Sequence, residues 1–449
     1  MSTLNDVVIN KLSGGLGRRN PDQDMVSGLL FDGEATTKGF EKDKVYRLAS
    51  LEDAEALGIT AAYDVDGQSA YYQIEQFFRM NPSGDLFIMA TTGTSYGEVV
   101  GKAMEMQEKT DGKIRQMAVI YADLDAAFAQ TTTAVATAQT QANLAYAAYM
   151  PFEVILEGKK FDVDTAPNLA ALNATNVSVV IAMDAEKANE EKLFLKGATE
   201  AADTLYTLAP KEVLVVAQPA TVNTPAVYNI EVDGEIKEAN GAALQFVFKK
   251  IYKNSAAVGM ALGTISKAKV SENIAWIEKF NLAGEGFAKA GFVGGKEIKT
   301  QGTLSTLNDN RYIFAKTHTG LAGLYFNDSH TCTEGTSDFA YVENNRTINK
   351  ATRLLRTALL PKLASPVLVD ISGKLPQSVS KDFEGLCRAA LEGMVANQEV
   401  SAFDVYVNPS QNILATSELR VKAEIIPIGT ARKITVDLGF KNPFGIDKA

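Results

Sequence analysis

The sequence predicts a multidomain α/β protein with a strand arm at each end. Three observations lead to this prediction. Short apolar runs alternate with helical patterns through the first half of the chain, as in sheets whose strands are joined by helices. Helices followed by β-patterned segments close the chain. Isolated segments of strand character stand near both termini.

The pattern divides the 449 residues into five parts, and a chain of this length can hold two or three domains. In order, they are an N-terminal arm, an α/β domain, a β excursion with a helix and a return segment, a C-terminal α+β domain, and a C-terminal arm. Their predicted bounds are 1–25, 26–210, 211–310, 311–430 and 431–449.

The N-terminal arm is predicted from a short apolar run of Val7, Val8 and Ile9, followed by a Gly-rich stretch at 13–17. A strand that precedes every domain has no partner nearby in sequence. Its backbone groups therefore need a sheet edge, either in the same subunit or in another one.

The α/β domain is predicted to begin with a strand at 44–49, after which Ser50 and Asp53 have the spacing of a capping box. A helix at 70–80 with one apolar face and a strand at 86–90 follow. Continued alternation predicts a doubly wound arrangement. Its further elements are a helix at 96–109, a strand at 117–121, an Ala-rich helix within 126–152, a strand at 177–183 and a helix at 189–207.

The β excursion is predicted from two Val-rich runs, at 213–216 and 227–232, on either side of a Pro- and Thr-rich link. A helix is predicted at 240–263, and Gly-rich loops then lead into the C-terminal domain.

The helix predicted near residue 350 has two distinct faces. Its apolar residues recur at helical spacing and predict the buried face: Ile348, Ala351, Leu354, Leu355, Ala358 and Leu359. Four cations form a stripe without any acid: Arg346, Lys350, Arg353 and Arg356. Because solvated stripes usually mix both signs of charge, this stripe is a candidate binding surface, with a solvated face as the alternative.

The C-terminal arm is predicted from the alternation of Ile434, Val436 and Leu438 with polar residues, before Pro443 ends the strand. Such an arm can complete a sheet in a neighbouring subunit by strand addition. Pairing of both arms within their own subunit is the alternative.

Charge is unevenly distributed along the chain. The net charge is −10, which argues against non-specific binding of nucleic acid. Residues 344–449 carry 14 Lys and Arg against 10 Asp and Glu, so this end is +4 and the rest −14. Ends of opposite sign suit a protein that contacts copies of itself or an acidic partner, although charge also varies along chains without consequence.

The cysteine pattern and the absence of targeting signals suggest a reducing compartment. Cys332 and Cys387 are the only cysteines and lie far apart. The N-terminus has neither a basic region nor an apolar one, so nothing marks it for secretion. The uncharged run at 126–152 is too rich in Thr, Gln and Asn for direct membrane insertion, and a helix buried in protein is expected there.

One motif favours an enzyme. Residues 93–97 read Gly-Thr-Ser-Tyr-Gly between a predicted strand and a predicted helix, as in the nucleophile elbow of an α/β serine hydrolase. Ser95 would be the nucleophile, with His318 or His330 as the base and Asp309 as a possible acid. The alternative is structural, because Ser95 followed by Glu98 is also a capping box.

Other chemical motifs are incomplete, so no catalytic residue, cofactor or metal is predicted. Residues 290–297 resemble a phosphate-binding loop, but Ala290 replaces the first Gly and Glu297 stands where Ser or Thr would hold magnesium. The spacing of His318, His330 and Cys332 matches no structural zinc pattern.

Two distant groups of segments carry a resemblance to a known family. The first is the strand, helix, helix and strand within 46–90, including the paired Phe77 and Phe78. The second runs from Tyr312 through the helix at 344–356 to the β-patterned segments at 418–428 and 433–438. In order and residue character, both resemble contractile tail sheath proteins, and most of all the divergent group of Mu-like phages and Bacteroidetes elements.

The resemblance implies an outer doubly wound domain, an inner C-terminal domain, and terminal arms that link subunits. It implies a structural, non-enzymatic subunit that polymerises helically around an inner tube and contracts to drive it through a target envelope. The four cations of the stripe would face an acidic tube protein. Implied partners are the chain itself, the inner tail tube protein, and baseplate and terminator proteins. The expected location is the bacterial cytoplasm during assembly, and afterwards a phage tail or phage-like particle.

Overall fold

The structure is a computed structural model that describes residues 23–65, 67–123, 126–196, 203–205, 211–218, 221, 227–233, 235–237, 245–297 and 300–440. The chain divides into two compact units, Met1–Thr357 and Ala358–Ala449. The C-terminal domain was predicted to start at residue 311, but the second unit starts at Ala358. Residues 311–357 therefore belong to the first, larger unit.

The centre of the first unit is a six-stranded sheet in the order β2-β3-β1-β4-β5-β6, in which all strands except β2 run parallel. Its strands are β1 (Val26–Asp32), β2 (Tyr46–Leu48), β3 (Asp85–Thr91), β4 (Gln116–Ile120), β5 (Glu153–Glu157) and β6 (Val177–Val180). Strands β4 and β5 are buried at every position, as expected for parallel strands covered on both faces.

Helices connect these strands and cover the sheet, which confirms the predicted doubly wound α/β arrangement. They are α1 (Leu51–Ala56), α2 (Ala70–Met80), α3 (Tyr96–Val100), α4 (Ala103–Lys109) and α5 (Phe128–Ala147). Ser50 and Asp53 form the predicted capping box of α1. Helix α5 is less buried than predicted: one face, including Ala134 and Ala138, is covered, whereas Leu144 and Tyr146 are exposed.

The middle of the chain departs from the sequence prediction. Helix α6 (Ala185–Asn189) follows strand β7 (Ala182–Asp184), and two strands, β8 (Lys192–Lys196) and β9 (Asp203–Leu205), then replace the helix predicted at 189–207. The predicted Val-rich runs at 213–216 and 227–232 do form paired strands, β10 (Glu212–Gln218) and β11 (Val227–Val232). Strands β12 (Glu235–Lys237) and β13 (Gln245–Lys249) follow. Strand β8 pairs with β13, about fifty residues later, and such non-local pairing overrides local helical spacing.

The remaining elements complete both units. Helix α7 (Val258–Lys267) replaces the later part of the helix predicted at 240–263, and packs on α2. Then come β14 (Ala290–Phe292), α8 (Gln301–Asp309), β15 (Ala315–His318), β16 (Leu321–Phe326) and α9 (Val342–Leu359). The second unit contains α10 (Gln377–Ala396), β17 (Val400–Val407), α11 (Ile413–Thr416) and β18 (Val421–Pro427). Within the described residues, no helix is long and apolar enough to cross a membrane.

Candidate assembly surfaces

The buried face of helix α9 is not the one that its sequence predicts. Its buried residues are mostly polar, and they include Glu343, Asn345, Arg346 and Asn349. The apolar residues Ile348, Leu354 and Leu355, predicted to form the buried face, are only half-buried. Of the predicted apolar positions within the first unit, Ala351 alone is fully buried. The prediction was therefore wrong about which side of α9 is covered.

Three of the four stripe cations converge on one residue, Asp24, and two of them contact its carboxylate. Lys350 Nζ lies 2.5 Å from Asp24 Oδ2, and Arg353 Nη2 lies 2.7 Å from Asp24 Oδ1. Arg346 donates a longer hydrogen bond, of 3.3 Å, to the backbone oxygen of Asp24. Asp24 itself lies in a single 3-10 turn, Gln23–Met25, directly before β1. The inner side of the stripe is therefore an intramolecular ion cluster.

The individual cations differ in how far they can reach a partner. Arg346 is 4% exposed and donates to the backbone oxygens of Ala268 and Lys269 at 3.1–3.2 Å, so in this structure it supports the fold. The side chains of Lys350 and Arg353 retain 15% and 17% exposure. Arg356 is half-buried and lies over the ring of Tyr149, 3.5 Å from its centroid.

The electrostatics of this cluster follow from burial and proximity. Burial alone would raise the pKa of Asp24, but the hydrogen bond from Lys350 and the charges of Lys350, Arg353 and Arg346 hold that pKa below its ordinary value. Burial lowers the pKa of the Arg346 guanidinium to about 10, against the opposing effect of Asp24. Asp24 thus remains charged at neutral pH and partly neutralises the cations around it.

Asp24 was not predicted as a functional residue. It is separated from Lys350 by more than three hundred positions, and no motif surrounds it. The only local hint is an acid next to the first long apolar strand of the chain. Which distant cations it meets depends on the sheet and helix packing, which sequence spacing does not encode.

The predicted C-terminal arm is exposed. The structure places residues 428–440 outside every helix and strand. Ile434, Val436 and Leu438 are 82%, 76% and 95% exposed. In the same unit, β17 and β18 form a two-stranded antiparallel sheet, and across the described residues neither strand has a second neighbour. The N-terminal arm residues Val7, Val8 and Ile9 lie outside the described residues.

The serine motif has a structural role. Ser95 is the N-cap of α3, and its hydroxyl accepts a hydrogen bond from the Glu98 backbone N–H at 3.3 Å. The Glu98 carboxylate in turn accepts from the Thr94 N–H at 2.8 Å. Ser95 therefore caps the helix, as in the structural alternative to a nucleophile, but Glu98 binds the N–H of Thr94 and not that of Ser95.

The predicted histidines lie in different surroundings. His330 is buried, and its Nε2 lies 3.0 Å from Asn308 Oδ1. His318 belongs to β15 and packs beside Tyr325, and burial lowers its pKa. Within the described part of the chain, no three His, Cys, Asp or Glu side chains come together in a way that could hold a metal.

Comparison with known families and structures covers nearly the whole chain. The DUF2586 N-terminal domain matches residues 4–246 and 196–330, and the DUF2586 C-terminal domain matches residues 338–445. No curated protein sequence matches the chain.

Several solved structures share the fold at low sequence identity. The helical sheath of the anti-feeding prophage in its contracted state is 12% identical, with a TM-score of 0.58 over 98% of this chain and 100% of that one. A chain of the anti-feeding prophage baseplate gives 12% identity and a TM-score of 0.57, with the same coverage. The contracted PVC sheath complex of an extracellular contractile injection system is 10% identical, with a TM-score of 0.53 over 98% of both chains. The chain therefore belongs to the DUF2586 family and has the fold of contractile sheath proteins.

Proposed function

We propose that this protein is the structural subunit of a contractile tail sheath. Copies polymerise helically around an inner tube and contract to drive that tube through a target envelope. The observation that carries the proposal is the likeness in fold to chains of contracted sheaths, which extends over 98% of this chain. Its role is structural rather than enzymatic, since Ser95, the best catalytic candidate, serves as a helix cap.

Subunits link through their arms by strand addition. Ile434, Val436 and Leu438 supply alternating apolar side chains on an exposed segment, which is the pattern of a strand that lacks its sheet. The unpaired edges of the β17–β18 sheet in another copy offer backbone groups that such a strand can complete. Val7, Val8 and Ile9 provide the second arm, so each subunit connects to more than one neighbour.

The outer end of the stripe faces the tube. Arg356, Lys350 and Arg353 keep part of their surface accessible, and an acidic tube protein would meet them through charge. The buried Arg346 contributes by holding α9 in place. Baseplate and terminator proteins contact the two ends of the polymer. The subunits assemble in the bacterial cytoplasm, and the finished sheath is part of a phage tail or phage-like particle.

Negative-stain electron microscopy of the purified full-length protein at high concentration tests this function. Hollow, striated tubes or rings of uniform width are the expected result, either alone or after addition of the tube protein that serves as template. Particles that stay dispersed under both conditions would contradict the proposal.

A further inference from the structure

Helix α9 and Asp24 meet in a cluster of charged side chains. Four cations surround this single aspartate: Arg115, Arg346 and Arg353 line the same small cavity as Asp24, and Lys350 pairs with its carboxylate. Two further acids act on the cluster: Glu153, which accepts hydrogen bonds from Asn176 and Asn349 at 2.9 and 2.8 Å, and Glu272, whose charge acts on Arg346. Among the described residues, four cations therefore face three acids, and the cluster is suited to receive a further carboxylate.

The present arrangement leaves no room for that carboxylate. The cavity between Asp24, Arg115 and Arg353 measures about 10 Å³, which holds one water at most. Both oxygens of Asp24 are already occupied, by Lys350 and Arg353. A second anion can therefore engage these two cations fully only if Asp24 withdraws from them.

Asp24 stands at a position from which it can withdraw. It lies in a three-residue turn directly before β1, outside the sheet itself. Two contacts hold its backbone: its oxygen accepts from Gln116 Nε2 at 3.2 Å and from Arg346 Nη2 at 3.3 Å. Neither contact involves the carboxylate, so the side chain can leave without breaking them directly. The turn then loses its two ion pairs and is held by these longer hydrogen bonds, so its backbone is expected to loosen.

We propose that Asp24 is an autoinhibitory competitor for the stripe. In the free subunit it occupies Lys350 and Arg353, and carboxylates of an acidic partner bind these cations by displacing it. This inference rests on the proposed function, in that it concerns regulation of the same tube-facing surface.

Binding of fluorescein-labelled decaglutamate to the full-length protein at low ionic strength tests the competition. Asp24→Asn removes the competing charge and keeps the size of the side chain, so its affinity for the peptide is expected to rise by about fivefold or more. The gain should disappear at high salt, and also when Lys350→Gln and Arg353→Gln are added. Equal affinity of folded Asp24→Asn and wild type would overturn the proposal.

Asp85→Asn is the matched control. Asp85 is also a buried aspartate of the same unit, but it pairs with Arg47, at 2.6 Å, and not with a cation of the stripe. This substitution changes the net charge equally, so a similar gain in both variants would also overturn the proposal, since it would reflect overall charge alone.

Hydrogen exchange of the wild-type protein provides a second measurement that does not depend on the folding of a variant. Saturating decaglutamate should speed exchange at residues 23–25 while β1 stays protected. Unchanged exchange there, with the peptide bound, would contradict displacement of Asp24. If Asp24→Asn binds the peptide no better than wild type but tubes still form, the autoinhibition proposal is wrong and the sheath function stands. If Asp24→Asn does bind more tightly but the particles stay dispersed, the sheath function is wrong and the competition at Asp24 stands.

Discussion

At the scale of single residues, Glu153 shows how burial makes a side chain sensitive to pH. It is 1% exposed at the start of β5, and only one of its two carboxylate oxygens has a hydrogen-bond partner. Burial raises the pKa of Glu153 from 4.5 to about 7, against the opposing hydrogen bonds from Asn176 and Asn349 and the charge of Arg346. The native state therefore holds this proton more tightly than the unfolded chain does.

The sign of the resulting pH dependence follows directly. The stabilisation linked to this proton is present below about pH 4.5 and is lost as the pH rises through about 7. Glu153→Gln removes the charge and keeps an oxygen that can accept from Asn349. The difference in free energy of unfolding between the Glu153→Gln variant and wild type should therefore shift in favour of the variant from pH 5 to pH 8, by on the order of 1–3 kcal/mol.

Urea unfolding at several pH values measures this difference. The exposed Glu108→Gln serves as the control, because it removes the same charge from the surface of α4. A Glu153→Gln difference that stays constant from pH 5 to pH 8 would show that Glu153 is already ionised in the native state throughout that range.

Residue-scale prediction from sequence succeeded for local contacts and failed for distant ones. The capping box at Ser50 and the serine cap at Ser95 need only neighbouring residues, and spacing found both. The covered face of α9 depends on Asp24 and Glu153, acids that lie far from α9 in sequence. Periodicity therefore identified an amphipathic helix, but not that its polar side is the buried one.

At the scale of elements, the contact between α2 and α7 depends on two small residues. Gly259 and Gly263 lie four positions apart on one side of α7. A Cβ atom at Gly259 would lie 2.0 Å from the backbone oxygen of Gln73, and one at Gly263 would lie 2.6 Å from that of Phe77. The two helices therefore approach each other closely enough to exclude any side chain at these positions.

Gly259→Ala should destabilise the protein by about 1–3 kcal/mol or more, because the clash is with backbone rather than with a flexible side chain. Gly302→Ala on α8 is the matched control, since nothing lies within 4 Å of its added methyl group. Alanine favours helix over glycine, so the control should lose no stability and can gain up to about 1 kcal/mol. Thermal unfolding distinguishes the two, and equal midpoints would contradict the close helix contact.

Elements with local signals were predicted well, and elements formed by non-local pairing were not. The strands of the central sheet alternate along the chain with the helices that cover it, so the sequence pattern predicts them. Strand β8 is the central strand of a sheet, between β13 and β9, and a window around 189–207 contains β9 but not β13. The sequence therefore predicted the excursion strands β10 and β11 but missed the sheet that β8 forms with β9 and β13.

At the scale of the whole molecule, the excess positive charge of the C-terminal end comes from α9. Residues 358–449 carry 10 Lys and Arg and 10 Asp and Glu, so the second unit is neutral. The +4 of the C-terminal end thus consists of the four stripe cations, two of which pair with Asp24. What distinguishes the second unit is therefore not charge but the apolar segment that it exposes near its end.

That segment provides the test of subunit linkage. Replacing Ile434, Val436 and Leu438 with lysine should leave the stability of the monomer unchanged, because these side chains already face solvent. The same change should abolish long tubes, since charged side chains on the inward face of an added strand cannot be buried in a neighbour.

The matched control uses the alternate positions of the same segment. Thr435→Lys with Asp437→Lys adds the same three units of positive charge, but on the opposite face of the strand. Tube length in negative-stain images and the unfolding midpoint are measured for both variants. Strand addition requires that the control still assemble while the triple variant does not, because successive side chains of a strand point to opposite sides. If both variants assemble equally well, residues 434–438 do not join subunits; if neither does, charge rather than strand register controls assembly.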